Sequence, residues 1–178
     1  GISSGTIFNL SGDLTQLIWS SATGGDVAEA AFGVQIGPDG TIYITGGTTS
    51  VNLISSAAGA DPSYSGMVDG YIMRLSANGS TVLNSTYVGT FGFDQTYFVQ
   101  LDTDGEVYVI GQSLGDIQVS PDVYSNPGGR QFVQKYSADL TTLEWSTTIG
   151  SNDNQINFSP SAFLVTNCSD IYVSGWGG

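Results

Sequence analysis

The stretch Val34-Gln35-Ile36-Gly37-Pro38-Asp39-Gly40-Thr41-Ile42-Tyr43-Ile44 decides the fold, because it returns as Val99-Gln100-Leu101-Asp102-Thr103-Asp104-Gly105-Glu106-Val107-Tyr108-Val109. Each copy holds two β-prone runs around an Asp-Gly pair, where a hairpin turn needing positive φ favours Gly and tolerates Asp. A third copy ends in Ile171-Tyr172-Val173-Ser174-Gly175. Self-similarity at a period of about 65 residues is the mark of a repeat architecture. Within each copy the alternation sets Ile42 and Ile44, and likewise Val107 and Val109, on one face of a strand.

Working outward, the preceding segment repeats as Leu17-Ile18-Trp19-Ser20-Ser21, Val82-Leu83-Asn84-Ser85-Thr86 and Leu143-Glu144-Trp145-Ser146-Thr147. The following one repeats as Tyr71-Ile72-Met73-Arg74-Leu75 and Phe132-Val133-Gln134-Lys135-Tyr136, with an earlier copy in Ile7-Phe8-Asn9-Leu10. Four β-prone runs per unit, near 82–88, 95–101, 106–111 and 131–137 in the second, predict an all-β chain of four-stranded antiparallel β-propeller blades. The units divide the sequence into a closing strand of a preceding blade (1–12), a blade (13–77), a second (78–138) and a partial one (139–178). That is an incomplete ring of about three blades. The chain starts at Gly1 rather than Met, so it is expected to be a processed product or an excerpt of a longer polypeptide.

Composition narrows the function. Sixteen acidic residues face three basic ones, Arg74, Arg130 and Lys135, for a net charge of -13. Nucleic-acid binding needs a footprint of Lys and Arg that releases counterions, and three scattered cations do not supply it. The longest apolar runs fall far short of the ~20 residues that cross a bilayer, so membrane insertion is not expected either. No histidine is present, which removes Ser-His-Asp and Cys-His catalysis within the segment. Cys168 is the only cysteine, so no internal disulfide forms, and it reads as a small residue at a strand edge.

The strings Leu75-Ser76-Ala77-Asn78-Gly79-Ser80-Thr81-Val82-Leu83-Asn84-Ser85-Thr86-Tyr87-Val88-Gly89 and Val99 to Gly111 resemble the SBBP β-propeller repeat. Such repeats are similar to those of large proteins that Bacteroidota export through the type IX secretion system, often with gliding-motility-associated domains. The resemblance implies an extracellular or cell-surface location. It also implies partners in the secretion machinery or among other surface proteins, with glycans as a further candidate, and no catalytic activity. Two departures stand out: Arg130 occupies the place of Asp69, and Asn9 that of Arg74 and Lys135.

Asp102-Thr103-Asp104-Gly105-Glu106 sets three acids within one short loop, which makes Asp102 and Asp104 the candidates for calcium. The first copy, Gly37-Pro38-Asp39-Gly40, lacks two of those acids, so a solvated hairpin tip is the expectation and no cofactor is assigned. Trp19 and Trp145 are expected to pack between blades. Tyr64 and Tyr124, at corresponding places in the long connections 48–69 and 112–131, are expected to anchor those loops. No catalytic or cofactor-binding residue is marked out, and the chain is not expected to be an enzyme by itself. The rival is a propeller-type polysaccharide hydrolase or lyase, which would place carboxylates at matching inner strand ends of successive blades.

Overall fold

The computed structural model describes residues 4–53 and 59–177, and every described element is a β-strand in an antiparallel sheet. Strands β1 (Gly5–Leu10) and β2 (Leu17–Thr23) form a two-stranded sheet. Strands β3 (Glu29–Ile36), β4 (Ile42–Thr48), β5 (Asp69–Leu75) and β6 (Val82–Val88) form a four-stranded one in chain order. The pattern recurs in β7 (Asp94–Leu101), β8 (Val107–Ser113), β9 (Gln131–Tyr136) and β10 (Leu143–Ile149), and a final pair joins β11 (Ser159–Val165) to β12 (Ile171–Trp176). These are propeller-like blades in an unclosed array.

Sheet and sequence repeat are out of phase by one strand. The strand at 82–88 closes the sheet that starts at residue 29, instead of opening a unit at 78, and residues 17–23 pair back with β1. Turn chemistry causes this. Ser76 N donates to Thr81 O and Gly79 N to Ser76 O, while Asn78 Oδ1 accepts from Ser76 Oγ, Ser80 N and Ser80 Oγ. A side-chain-locked turn of this kind folds the chain straight back into a hairpin. Asp13 and Asp139 do the same for 11–16 and 137–142. By their turns, β1 and β2 correspond to the closing half of a blade. By their register shifts near the start of the first strand, β11 and β12 correspond to the opening half.

Burial on both faces explains the stacking. Ile42 and Ile44 meet Ile7 of β1 together with Tyr71, Met73, Leu75 and Tyr87, whereas Tyr43, Ile72 and Val88 turn the other way onto Val99, Val107, Val109 and Phe132. Tyr108 and Ile110 then face Phe163 and Val165 of β11. Alternation along β4 and β8 therefore feeds two cores at once, so the expected one-sided strand is apolar on both sides, as in a sheet covered on both faces. First strand lies on first strand where β3 meets β7 and β7 meets β11, and β1, a third strand by its turn, lies on β3 as β5 lies on β7. At the opposite side the long connections run along the last strands: Tyr87 N donates to Asp61 O, Ser120 N to Ser146 O and Asn126 N to Thr148 O. These loops occupy edge groups that would otherwise be open to another chain.

Candidate functional site

The acidic turn is a structural device. Asp102 is buried, its Oδ1 accepts from Asp104 N at 3.1 Å and Glu106 N at 3.0 Å, and its Oδ2 accepts from Tyr108 Oη at 3.1 Å. Lys135 Nζ lies 3.6 Å from the same oxygen and 5.2 Å from the centre of the Tyr108 ring. Asp104, the other calcium candidate, is exposed at the hairpin tip. Among the described residues no three Asp, Glu, His or Cys side chains converge as metal ligands.

The aromatic expectations divide. Trp19 packs on the first interface and covers Gly79, where a Cβ would stand 2.6 Å from its ring. Trp145 meets the Tyr108 ring edge-on at 5.9 Å and borders the core that includes Phe163 and Val165. Tyr64 is half-buried against Tyr87 at 5.8 Å and donates from Oη to Met67 O, so it anchors its loop. Tyr124 does not: it is 74% exposed and its hydroxyl reaches only to Asn126 two residues on. The second loop is held instead by its own backbone against β10, with Ser120 N donating to Ser146 O and Asn126 N to Thr148 O. Cys168 is also displaced from its expected place, lying exposed in the turn between β11 and β12 with its N–H donated to Thr166 Oγ1.

The polar group missed at the sequence level sits where the first four-stranded sheet meets the second. Asp69 opens β5 and Asp94 opens β7, and both are fully buried. Asp94 Oδ2 accepts from Thr90 N at 2.6 Å and Thr90 Oγ1 at 2.9 Å; Asp69 Oδ2 accepts from Ser65 N at 2.8 Å. Asp69 Oδ1 has no hydrogen-bond partner. Burial pushes the Asp69 carboxyl up to about 6, with the neighbouring Asp94 and Asp61 charges adding to the effect and the Ser65 N–H opposing it. The two loops are laced together by Ser65 Oγ to Thr90 O, Met67 N to Gly92 O and Asp94 N to Val68 O.

Glu29 occupies in β3 the place that Asp94 occupies in β7, opposite Thr48 where Asp94 is opposite Ser113. It is buried too, with Oε1 accepting from Ser50 Oγ and Thr48 Oγ1. Carboxylates therefore recur at the start of the first strand in both full sheets, a matching placement of the kind the polysaccharide-enzyme alternative calls for. The signal was present: Glu29 and Asp94 stand at the same distance before Val34 and Val99. Comparison of the chain with family models and with curated proteins gives no match.

Proposed function

We propose that the chain is a segment of a non-catalytic structural and interaction module within an exported, cell-surface protein of the SBBP-repeat type. It would be carried by type IX secretion and serve adhesion or gliding. One observation carries the reading: the acids are used to build the repeat. Asp13, Asp39, Asp139 and Asp153 each accept a backbone N–H two residues on, and Asp102 accepts from both N–H groups of its turn. A chain that spends its carboxylates on fixing the turns of near-identical sheets presents a rigid, strongly acidic surface rather than an acid-base pair in a cleft. Proteolysis of intact cells tests the location, with cleavage by external protease expected. A glycan-degradation screen of the protein tests the absence of catalysis.

The alternative is a polysaccharide hydrolase or lyase, and the Asp69–Asp94 pair favours it, since two carboxylates in one place with one of them raised toward neutrality is the makings of an acid and a base. Glycan turnover that disappears in Asp94→Asn would establish that reading over the first.

A further inference from the structure

The junction of the two full sheets collects acceptors and supplies no charge to balance them. The point that a Cβ on Gly66 would take lies 2.5 Å from Gly92 O, 2.7 Å from Thr90 O and 2.9 Å from Asp69 Oδ1. The corresponding point at Gly89 lies 2.9 Å from Asp94 Oδ2 and 3.1 Å from Asp69 Oδ1. Asp69 Oδ1, the unpartnered oxygen of a fully buried carboxylate, stands by both points, beside the carbonyls of Thr90 and Gly92 at one and beside Asp94 Oδ2 at the other. Two buried carboxylates without a compensating cation are costly. All three basic side chains are engaged elsewhere: Arg74 with Asp39, Lys135 with Asp102 and Glu144, Arg130 with Asp116.

The next repeat supplies the comparison. Register places Arg130 where Asp69 stands one sheet earlier. There the guanidinium donates to Gly115 O, Asn154 O and Asn154 Oδ1, lacing the loop before β9 to the loop before β11. One junction therefore carries its cation covalently, and the other has carboxylates at the same place.

We propose that a calcium ion binds between Asp69 and Asp94, taking one oxygen from each carboxylate and the carbonyls of Thr90 and Gly92, with water completing its shell. Calcium fits better than magnesium because it accepts irregular mixtures of carboxylate and carbonyl oxygens, whereas magnesium demands a near-ideal octahedron. The ion joins loop 65–70 to loop 89–94 and so fastens the first full sheet to the second, the task Arg130 performs at the following junction. This site is distinct from the turn at Asp102 and owes nothing to the proposed surface function.

Titration of the full chain with calcium chloride, followed calorimetrically and by thermal melting, tests it. The expected result is one ion bound with a Kd below about 1 mM and a melting temperature raised over that in EDTA. Asp69→Asn and Asp94→Asn each weaken binding by more than about tenfold, while Asp104→Asn in the exposed turn leaves it unchanged. Asp69→Asn is isosteric and removes a buried charge, so it stays folded in EDTA and its lost binding is not lost structure. No heat and no melting shift up to about 10 mM calcium would overturn the proposal and assign the junction to a shared proton. Binding that survives both junction variants would overturn it equally.

Discussion

Tyr43 reaches across the boundary between the two full sheets and donates from its Oη to Ala138 O, 2.7 Å away in the β9–β10 turn. The same turn receives Asn84 Nδ2 on Asp139 O and Ala60 N on Leu140 O. One hairpin tip of the second sheet is therefore a receptacle for three donors of the first. Tyr43→Phe keeps the ring in its core and removes a single neutral hydrogen bond, leaving Ala138 O without that donor. The expected loss is about 1 kcal/mol in denaturant unfolding. Tyr43→Ala also leaves a cavity and is expected to cost about 3–5 kcal/mol.

Leu14 and Leu140 hold the same place in their turns, at φ of 59° and 63°, where a side chain is strained. Their surroundings differ. Leu14 is exposed, so Leu14→Gly relieves the strain and loses little packing, with an expected gain of up to about 1 kcal/mol. Leu140 is fully buried in the core between the two full sheets. Leu140→Gly relieves the same strain but removes a core side chain, and is expected to cost at least about 2 kcal/mol. Opposite shifts in the urea midpoint of the two variants check this.

Asp102 and Asp104 are neighbours in sequence with unequal work. Asp102→Ala strips acceptors from two backbone N–H groups and Tyr108, and leaves Lys135 with Glu144 alone, so a loss of about 2–4 kcal/mol is expected. Asp104→Ala is expected to change stability by less than about 0.5 kcal/mol. Equal effects in thermal melts would show that the turn owes its form to something other than the Asp102 carboxylate.

The strands were readable because their signals are local: Asp39-Gly40 and Asp104-Gly105 announce turns, and alternation through Ile42-Tyr43-Ile44 announces the runs on either side. The phase of the sheets was not. Residues 82–88 carry the same pattern whether they pair with the strand before or after them, and the deciding bonds sit in the Asn78 turn, whose side chain could equally have faced water. Tyr64 and Tyr124 look alike in sequence, yet burial depends on what the loop crosses. Asp69 and Asp94 lie on different strands of different sheets, so their meeting depends on how one sheet stacks on the next. The recurrence of Glu29 and Asp94 at one repeat position stood in the sequence unread, because the spacing alone does not say that either acid opens a buried strand.

Asp69 also sets the pH dependence of the calcium-free protein. Its carboxyl, ordinarily near 3.8, is pushed up to about 6 in the folded chain. A group with a raised folded pKa holds its proton more tightly when folded, so its contribution is full below about 4, declines as pH rises to about 6, and is flat above. The turn carboxylates act oppositely and in a lower window. Hydrogen bonds from Ser11 and Thr15 hold Asp13 at about 2, and those from neighbouring Ser and Thr groups hold Asp39, Asp139 and Asp153 below the usual range. Their contribution is present above about 4 and is lost as pH falls toward 2. In EDTA the melting temperature is therefore expected to rise from pH 2 to about 4, and then to fall between about 4 and 6. Asp69→Asn should shrink the fall and keep the rise, the remaining fall belonging to Glu106, whose carboxyl burial also raises. Calcium should convert the fall into a gain, since the ion binds the ionised carboxylate and competes with the proton. Melting curves across this range, with and without calcium, decide the matter: an unaltered fall in Asp69→Asn would show that another group titrates at the junction.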